Sequence, residues 1–312
     1  MAYSRDEALE LHKDYQETVN NWQYYVRSYN GGYDYTLGQY LNRYNLELDN
    51  EFNQRLANTP CDNHCKNIIQ IYSSFLFRVK ASRDFGGMQD EASLESFLKD
   101  ADLEGNSFTT VMKQAQNYAS IYGHCFLILD KPAVQTNTKA EELEQEIRPY
   151  VSMVTPENVL DWNFERQVNG KYELNYLKIR EEVDKSGGSY MRLWFPDRVD
   201  TIYVEDIGTE PTLIDTATNQ IGKIPAVILY NAKSHKRGIG QSDLVDIADL
   251  QKAIYNEYSE IEQLIRLTNH PSLVKTNGVN ASAGAGAVIE MPDEMEPNLK
   301  PYLLQPSGQN LT

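Results

Sequence analysis

Hydrophobic positions recur at helical spacing through the first third of the chain and then give way to short alternating runs. From Ser4 to about Tyr29 the sequence holds neither Gly nor Pro, which predicts one helix ending at the breaker Asn30-Gly31-Gly32. A second helix is predicted from about Asp62 to Val79. Its broad apolar face of Ile68, Ile69, Ile71, Tyr72, Phe75 and Leu76 is expected to be buried. Two more helices follow, at about Glu91 to Ala101 and Ser107 to Tyr122; Asp102 to Asn106 supplies the break, and Ser107 can cap the second. Beyond them the pattern changes. Phe126 to Leu129, Tyr150 to Val154, Tyr172 to Ile179, Tyr190 to Phe195, Thr201 to Val204 and Ala226 to Tyr230 are short, aromatic or β-branched, and bounded by turn residues, as strands are. The predicted class is α+β.

After Asn231 comes a basic, Gly-containing joint with Lys233, His235, Lys236 and Arg237, then an unbroken helical segment from Asp243 to about Asn269, stopped by His270-Pro271. Its length of about 27 residues, at roughly 1.5 Å each, makes a rod of about 40 Å. At about 100° per residue, Ile247, Leu250, Ile254, Tyr258, Ile261 and Ile265 fall within an arc of roughly 80°, while Asp246, Asp249, Glu257 and Glu260 fall within an adjoining arc of about the same width. One reading makes the acids the solvated face of an ordinary surface helix. The other packs many copies side by side through the apolar stripe, so that the carboxylates line a shared lumen. Past Pro271 the chain is rich in Gly and Pro, with short strand candidates at Ser272 to Lys275 and Ala287 to Glu290. These features divide the chain into a helical part (1–125), a β-rich part (126–235), the joint with its helix (236–270) and a terminal region (271–312).

Composition narrows the function. With 45 acids against 29 bases, a net charge of -16, the chain is a poor candidate for gripping nucleic acid through phosphate neutralisation. An acidic wall would instead let DNA slide past. Cys61, Cys65 and Cys125 are too few for a disulfide framework, which points to a reducing compartment. The charged start, MAYSRDEALELHKDY, is unlike a signal peptide, and the longest apolar stretches are too short to span a bilayer.

The run Gly238-Ile239-Gly240-Gln241-Ser242-Asp243-Leu244 precedes Asp249-Leu250-Gln251, Tyr255-Asn256-Glu257-Tyr258-Ser259 and His270-Pro271-Ser272-Leu273. In this order they resemble the wing-to-stem junction and first stem helix of tailed-bacteriophage portal proteins. Thr155-Pro156-Glu157-Asn158-Val159, with Trp162, resembles a strand-and-turn segment of the same family. Tyr40-Leu41, Arg43-Tyr44 and Phe75-Leu76-Phe77-Arg78 sit where portals carry their opening helices. The resemblance implies a wing to about residue 235, a stem strut from Asp243 and a clip from Pro271. It also implies a chain cut short, since portals continue into a second stem helix, a tunnel loop and a crown. The implied protein is a structural, non-enzymatic subunit of a twelve-fold homo-oligomeric ring at one capsid vertex. Double-stranded DNA would pass through without sequence-specific binding during packaging and ejection. Its implied partners are the terminase motor, which supplies ATP hydrolysis, capsid and scaffold proteins, and tail adaptors. Its implied location is the virion, and the host cytoplasm during assembly. No cofactor, metal or catalytic residue follows, and no membrane.

Rival constellations have plainer explanations beside them. Cys61-x-x-His64-Cys65 with His124-Cys125 could form a zinc site if the segments meet, although half-buried helix cysteines account for the same residues. Gly284-Ala285-Gly286 lacks the Gly-Lys-Ser/Thr of a phosphate loop. The run Glu141-Glu142-Leu143-Glu144-Gln145-Glu146 is a solvated face before it is a pair of catalytic carboxylates. Tyr24, Tyr25, Tyr29, Tyr33, Tyr35, Tyr40 and Tyr44 suit either subunit contacts or core packing. The alternatives to a portal are a phage neck adaptor or a zinc- or carboxylate-dependent hydrolase.

Overall fold

The computed structural model describes residues 3–45, 47–88, 91–132, 138, 141, 145, 147–185, 187–205, 208–269, 272–274 and 302–304. Outside these lie His270-Pro271, Gly284-Ala285-Gly286, the strand candidate Ala287 to Glu290, and most of the acidic run (Glu142, Leu143, Glu144 and Glu146).

The described helices, in chain order, are α1 (Arg5–Leu9), α2 (Lys13–Asn30), α3 (Gly32–Leu37), α4 (Asp49–Asn58), α5 (His64–Leu76), α6 (Ala92–Lys99), α7 (Phe108–Tyr122) and α8 (Ile247–Asn269). The strands are β1 (His124–Asp130), β2 (Tyr150–Val154), β3 (Val159–Arg166), β4 (Tyr172–Val183), β5 (Ser189–Trp194), β6 (Arg198–Val204), β7 (Thr212–Thr218), β8 (Ala226–Tyr230), β9 (Ala232–Lys233), β10 (Gly240–Gln241), β11 (Ser272–Val274) and β12 (Tyr302–Leu304). Mixed helices and antiparallel sheets make the class α+β. Among the described residues no helix is long and apolar enough to cross a membrane.

The chain forms two compact units, each discontinuous in sequence. The first combines residues 1–30 and 63–248. It holds a five-stranded antiparallel meander, β3-β4-β5-β6-β7, a three-stranded sheet, β2-β1-β8, and the small ribbon β9-β10. Trp22 of α2, Ile69 of α5 and Ile121 of α7 share one core with Phe126 and Ile128 of β1 and with Trp162, Leu177, Leu193 and Ile202 of the meander. The second unit combines residues 31–62 and 249–312. Its core is Tyr35, Leu41 and Tyr255, with Phe52, Leu56 and Cys61 packed against them.

Several elements lie where the apolar pattern puts them. β2 and β8 keep their predicted ends, and α7 is capped by Ser107, whose hydroxyl accepts the Thr110 N–H at 3.2 Å. The helix closes on Gly123 in the left-handed region, at φ +95°.

Others differ. The single helix predicted from Ser4 to Tyr29 is broken at Glu10 to His12. Ser4 and Glu7 form a capping box that starts α1. The buried Lys178 ammonium of β4 takes the carbonyls of Glu7, Ala8 and Glu10 at its other end, and the His12 N–H pairs with the Leu160 carbonyl. Tertiary partners thus satisfy backbone groups that a continuous helix would have paired internally. The expected burial of the α5 face is also corrected: Ile69 is buried and Ile68 half-buried, but Ile71, Tyr72, Phe75 and Leu76 are exposed. The long helix begins at Ile247 rather than Asp243, because Asp243 to Asp246 form turns, so Asp246 precedes the helix.

Candidate functional site

The joint is built on the end of α7. The Ser242 hydroxyl donates to the Ile121 carbonyl at 2.6 Å and accepts the Leu244 N–H at 3.0 Å, while the Asp243 N–H donates to the Ser120 carbonyl at 3.0 Å. The last carbonyls of a helix lack internal partners, and here the joint supplies them. Asn231 closes the other side: its N–H donates to the Gly123 carbonyl at 2.9 Å, and its amide nitrogen to the Asp243 carboxylate at 2.7 Å.

Two close approaches explain why glycines stand in this run. A Cβ on Gly240 would lie 1.9 Å from the Gly123 carbonyl oxygen, and one on Gly238, at φ +86°, would lie 2.3 Å from the Trp162 indole nitrogen. That nitrogen donates to the Arg237 carbonyl at 3.2 Å. Ile239 and Leu244 bury their side chains, so the whole run from Gly238 to Leu244 is a latch. Beneath it lies His124, fully buried, whose Nδ1 accepts the Gly240 N–H at 3.2 Å. Burial pushes its pKa down to about 3, so the imidazole stays neutral and its proton sits on Nε2.

The basic cluster beside the latch is partly consumed within the chain. The Lys236 ammonium lies 2.8 Å from Asp14 and 2.5 Å from Glu17, both on α2, which raises the lysine's pKa and lowers that of Glu17. The Arg237 guanidinium lies over the Tyr172 ring at 3.4 Å. Lys236 is thus matched by carboxylates of its own chain. Lys233 and His235 are exposed.

Helix α8 is unbroken over 23 residues, about 35 Å. Its buried stripe is Ala248, Gln251, Tyr255 and Ser259, one face at helical spacing. In the second unit, Tyr255 meets Tyr35 edge-on at 5.2 Å. The Asn256 side chain accepts the Asn42 N–H at 2.7 Å and donates to the Tyr40 carbonyl at 3.0 Å. Arg55 of α4 donates to the Ser259 hydroxyl at 2.9 Å and pairs in a fork with the buried Glu47 at 2.6 and 2.8 Å. That pairing lowers the Glu47 pKa. Gln251, Tyr255, Asn256 and Ser259 all stand in the sequence runs that carry the resemblance, but periodicity assigned them no packing role. They hold the helix.

The other two arcs are open. Leu250 is 64% exposed, Tyr258 38%, Ile261 43% and Ile265 38%, with Ile247 and Ile254 half-buried. Asp249, Glu257 and Glu260 are exposed, as is Asp246 in the preceding turn, and Glu260 is within hydrogen-bond reach of the Tyr44 hydroxyl. Of the N-terminal tyrosines, Tyr35 is buried and Tyr24, Tyr25, Tyr29 and Tyr40 pack against the cores, whereas Tyr33 is exposed.

The zinc alternative finds no geometry here. Cys65 and Cys125 are buried; the Cys125 thiol donates to the Ala115 carbonyl at 3.3 Å, and burial pushes its pKa up to about 12. Among the described residues no group of three or more His, Cys, Asp or Glu is placed to hold a metal ion.

Comparison with curated proteins returns no match. Residues 14–309 match the family described as phage portal protein, SPP1 Gp6-like, a span that takes in the latch and the whole of α8, and the chain belongs to that family.

Proposed function

We propose that α8 is the strut of the portal ring, its apolar stripe meeting neighbouring copies and its carboxylates bordering the DNA passage. Membership makes the chain a structural portal subunit, with a part in the DNA channel and in packaging. Portal proteins are structural rather than enzymatic; they form an oligomeric ring that meets capsid and terminase, and they are virion components. In the proposed assignment Ile247, Leu250, Ile254, Tyr258, Ile261 and Ile265 pack between subunits, and Asp246, Asp249, Glu257 and Glu260 face the lumen.

One observation carries this reading: α8 is fastened to its own chain by a narrow stripe of Ala, Gln, Tyr and Ser, while Leu250, Ile261 and Ile265 stay open. Water-exposed leucine and isoleucine in a row gain about 25 cal/mol for each Å² they bury, so a partner covering them is strongly favoured. A carboxylate border offers DNA no counterion release and repels its phosphates, which suits transit. The finer picture is a twelve-fold ring with no catalytic role of its own, assembled in the host cytoplasm on scaffold and capsid proteins. The terminase supplies ATP hydrolysis, tail adaptors dock later, and DNA passes without sequence-specific contacts.

Negative-stain imaging of two variants tests the assignment of faces. Ile254→Asp with Ile261→Asp is expected to abolish rings, whereas Asp249→Asn with Glu257→Gln leaves them intact. The reverse result assigns the acidic arc to the interface and sinks the reading.

A further inference from the structure

Helix α5 leaves bare the face that its sequence marks for burial. Its packed side is narrow: Cys65, Ile69 and Ser73 are buried, and the helix rests on α2 and α7. On the adjoining face Ile71 is 55% exposed, Tyr72 68%, Phe75 69% and Leu76 62%, and Val79, just beyond the helix, is 80% exposed. Four large apolar side chains on one face, with Val79 just beyond them, form a patch of the kind that marks a protein interface.

The charge around the patch says what covers it. Residues 64–88 carry Lys66, Arg78, Lys80 and Arg83 against a single carboxylate, Asp84, in a chain whose net charge is -16. Arg78 and Lys80, which follow α5 directly, are exposed beside the patch, whereas Lys66 stands on the first turn of the helix, about 150° around it from the patch. Copies of so acidic a chain repel one another over most of their surface, and a basic-rimmed apolar patch is where a second copy is attracted. A ring of identical subunits also joins head to tail, so each copy presents two different surfaces to its neighbours, and one of them can be basic while the other is acidic. We infer that the exposed face of α5 docks on an acidic surface of a second copy of this chain, an inference that rests on the ring reading above. The apolar residues supply the adhesion. The cations fix the register, since exposed ion pairs add little energy of their own.

Two measurements on the whole chain test this. In the first, benzoylphenylalanine replaces Tyr72 or Leu76, isotopically light and heavy protein are mixed and irradiated, and adducts are mapped by mass spectrometry. Adducts joining light to heavy copies are expected. In the second, Tyr72→Glu with Phe75→Glu, whose sites are exposed and whose fold is checked by circular dichroism, is expected to raise the concentration needed for assembly at least tenfold. Adducts confined within single chains would mean that a segment of the same chain covers the patch, and would overturn the inference. Normal rings from the double variant, without intercopy adducts, would also overturn it and leave the ring reading standing. A parent protein that stays monomeric at every concentration would overturn both.

Discussion

His124 and Arg55 show how single buried polar groups hold this subunit together. His124 accepts the Gly240 N–H only while neutral, and its folded pKa lies near 3 because burial disfavours the charged ring. The unfolded chain takes up that proton near pH 6.5. Between those values the unfolded state binds more protons, so stability is fully present above pH 6.5 and is lost as pH falls, with a limiting slope of about 1.4 kcal/mol per pH unit. Urea midpoints from pH 7 to 4.5 should fall for the parent protein, and fall less steeply for His124→Asn, whose amide oxygen can still accept from Gly240. Equal slopes would show that other groups carry the effect. Arg55 works differently, by pairing the buried Glu47 and reaching Ser259 of α8. Arg55→Ala strands a buried carboxylate and should cost about 3–5 kcal/mol, measured by urea denaturation. A loss below about 1 kcal/mol would mean that Glu47 finds water instead. In the sequence His124 stands out only as a candidate metal ligand and Arg55 not at all, because hydropathy reads Arg and His as surface groups, and their burial depends on partners far along the chain.

At the scale of elements, legibility follows the range of the interactions that make each one. β2, β8 and α7 keep their predicted bounds closely because their apolar alternation, turn residues and the Ser107 cap are all local. Helix α4 escapes prediction because its buried side chain is Arg55. β7 escapes because it is an edge strand whose residues are nearly all exposed. The α1–α2 break is invisible because the ammonium that ends α1 comes from Lys178, more than 160 residues away. That last cause can be tested. A five-residue helix has no stability of its own in water, so α1 depends on its box at one end and on Lys178 at the other. Lys178→Met should speed amide exchange across Arg5–Leu9 at least tenfold, with the strand pairing of β4 still protected. Unchanged exchange would leave the capping box and side-chain packing as sufficient anchors. For α8 the local pattern gives an apolar and an acidic arc, of which Ile247 and Ile254 are half-buried and Asp246 precedes the helix, but a stripe of Ala, Gln, Tyr and Ser does not announce burial, so the face that holds the helix emerged only from the structure.

For the molecule as a whole, charge and apolar surface pull assembly in opposite directions. Each copy carries -16, and bringing identical acidic chains together concentrates that charge. At 0.01 M salt the repulsion reaches about 30 Å, and at 0.1 M it shrinks to about 10 Å. In the proposed assignment the adhesive side of the balance is the stripe of α8 and the face of α5, which are uncharged and not screened by salt. The few cations at Arg78 and Lys80 contribute exposed pairs worth about 0–1 kcal/mol each, too little to reverse the sign. Assembly should therefore strengthen as salt rises from about 0.02 to 0.2 M, with the monomer–oligomer midpoint in mass photometry or sedimentation moving to lower protein concentration. Over the same range, neutralising Asp249, Glu257 and Glu260 together should lower the salt needed for assembly, because it removes like charge from every subunit at once. If raising salt instead dissolves the oligomer, ion pairs rather than apolar contacts hold the copies together, and the open arc of α8 needs another occupant.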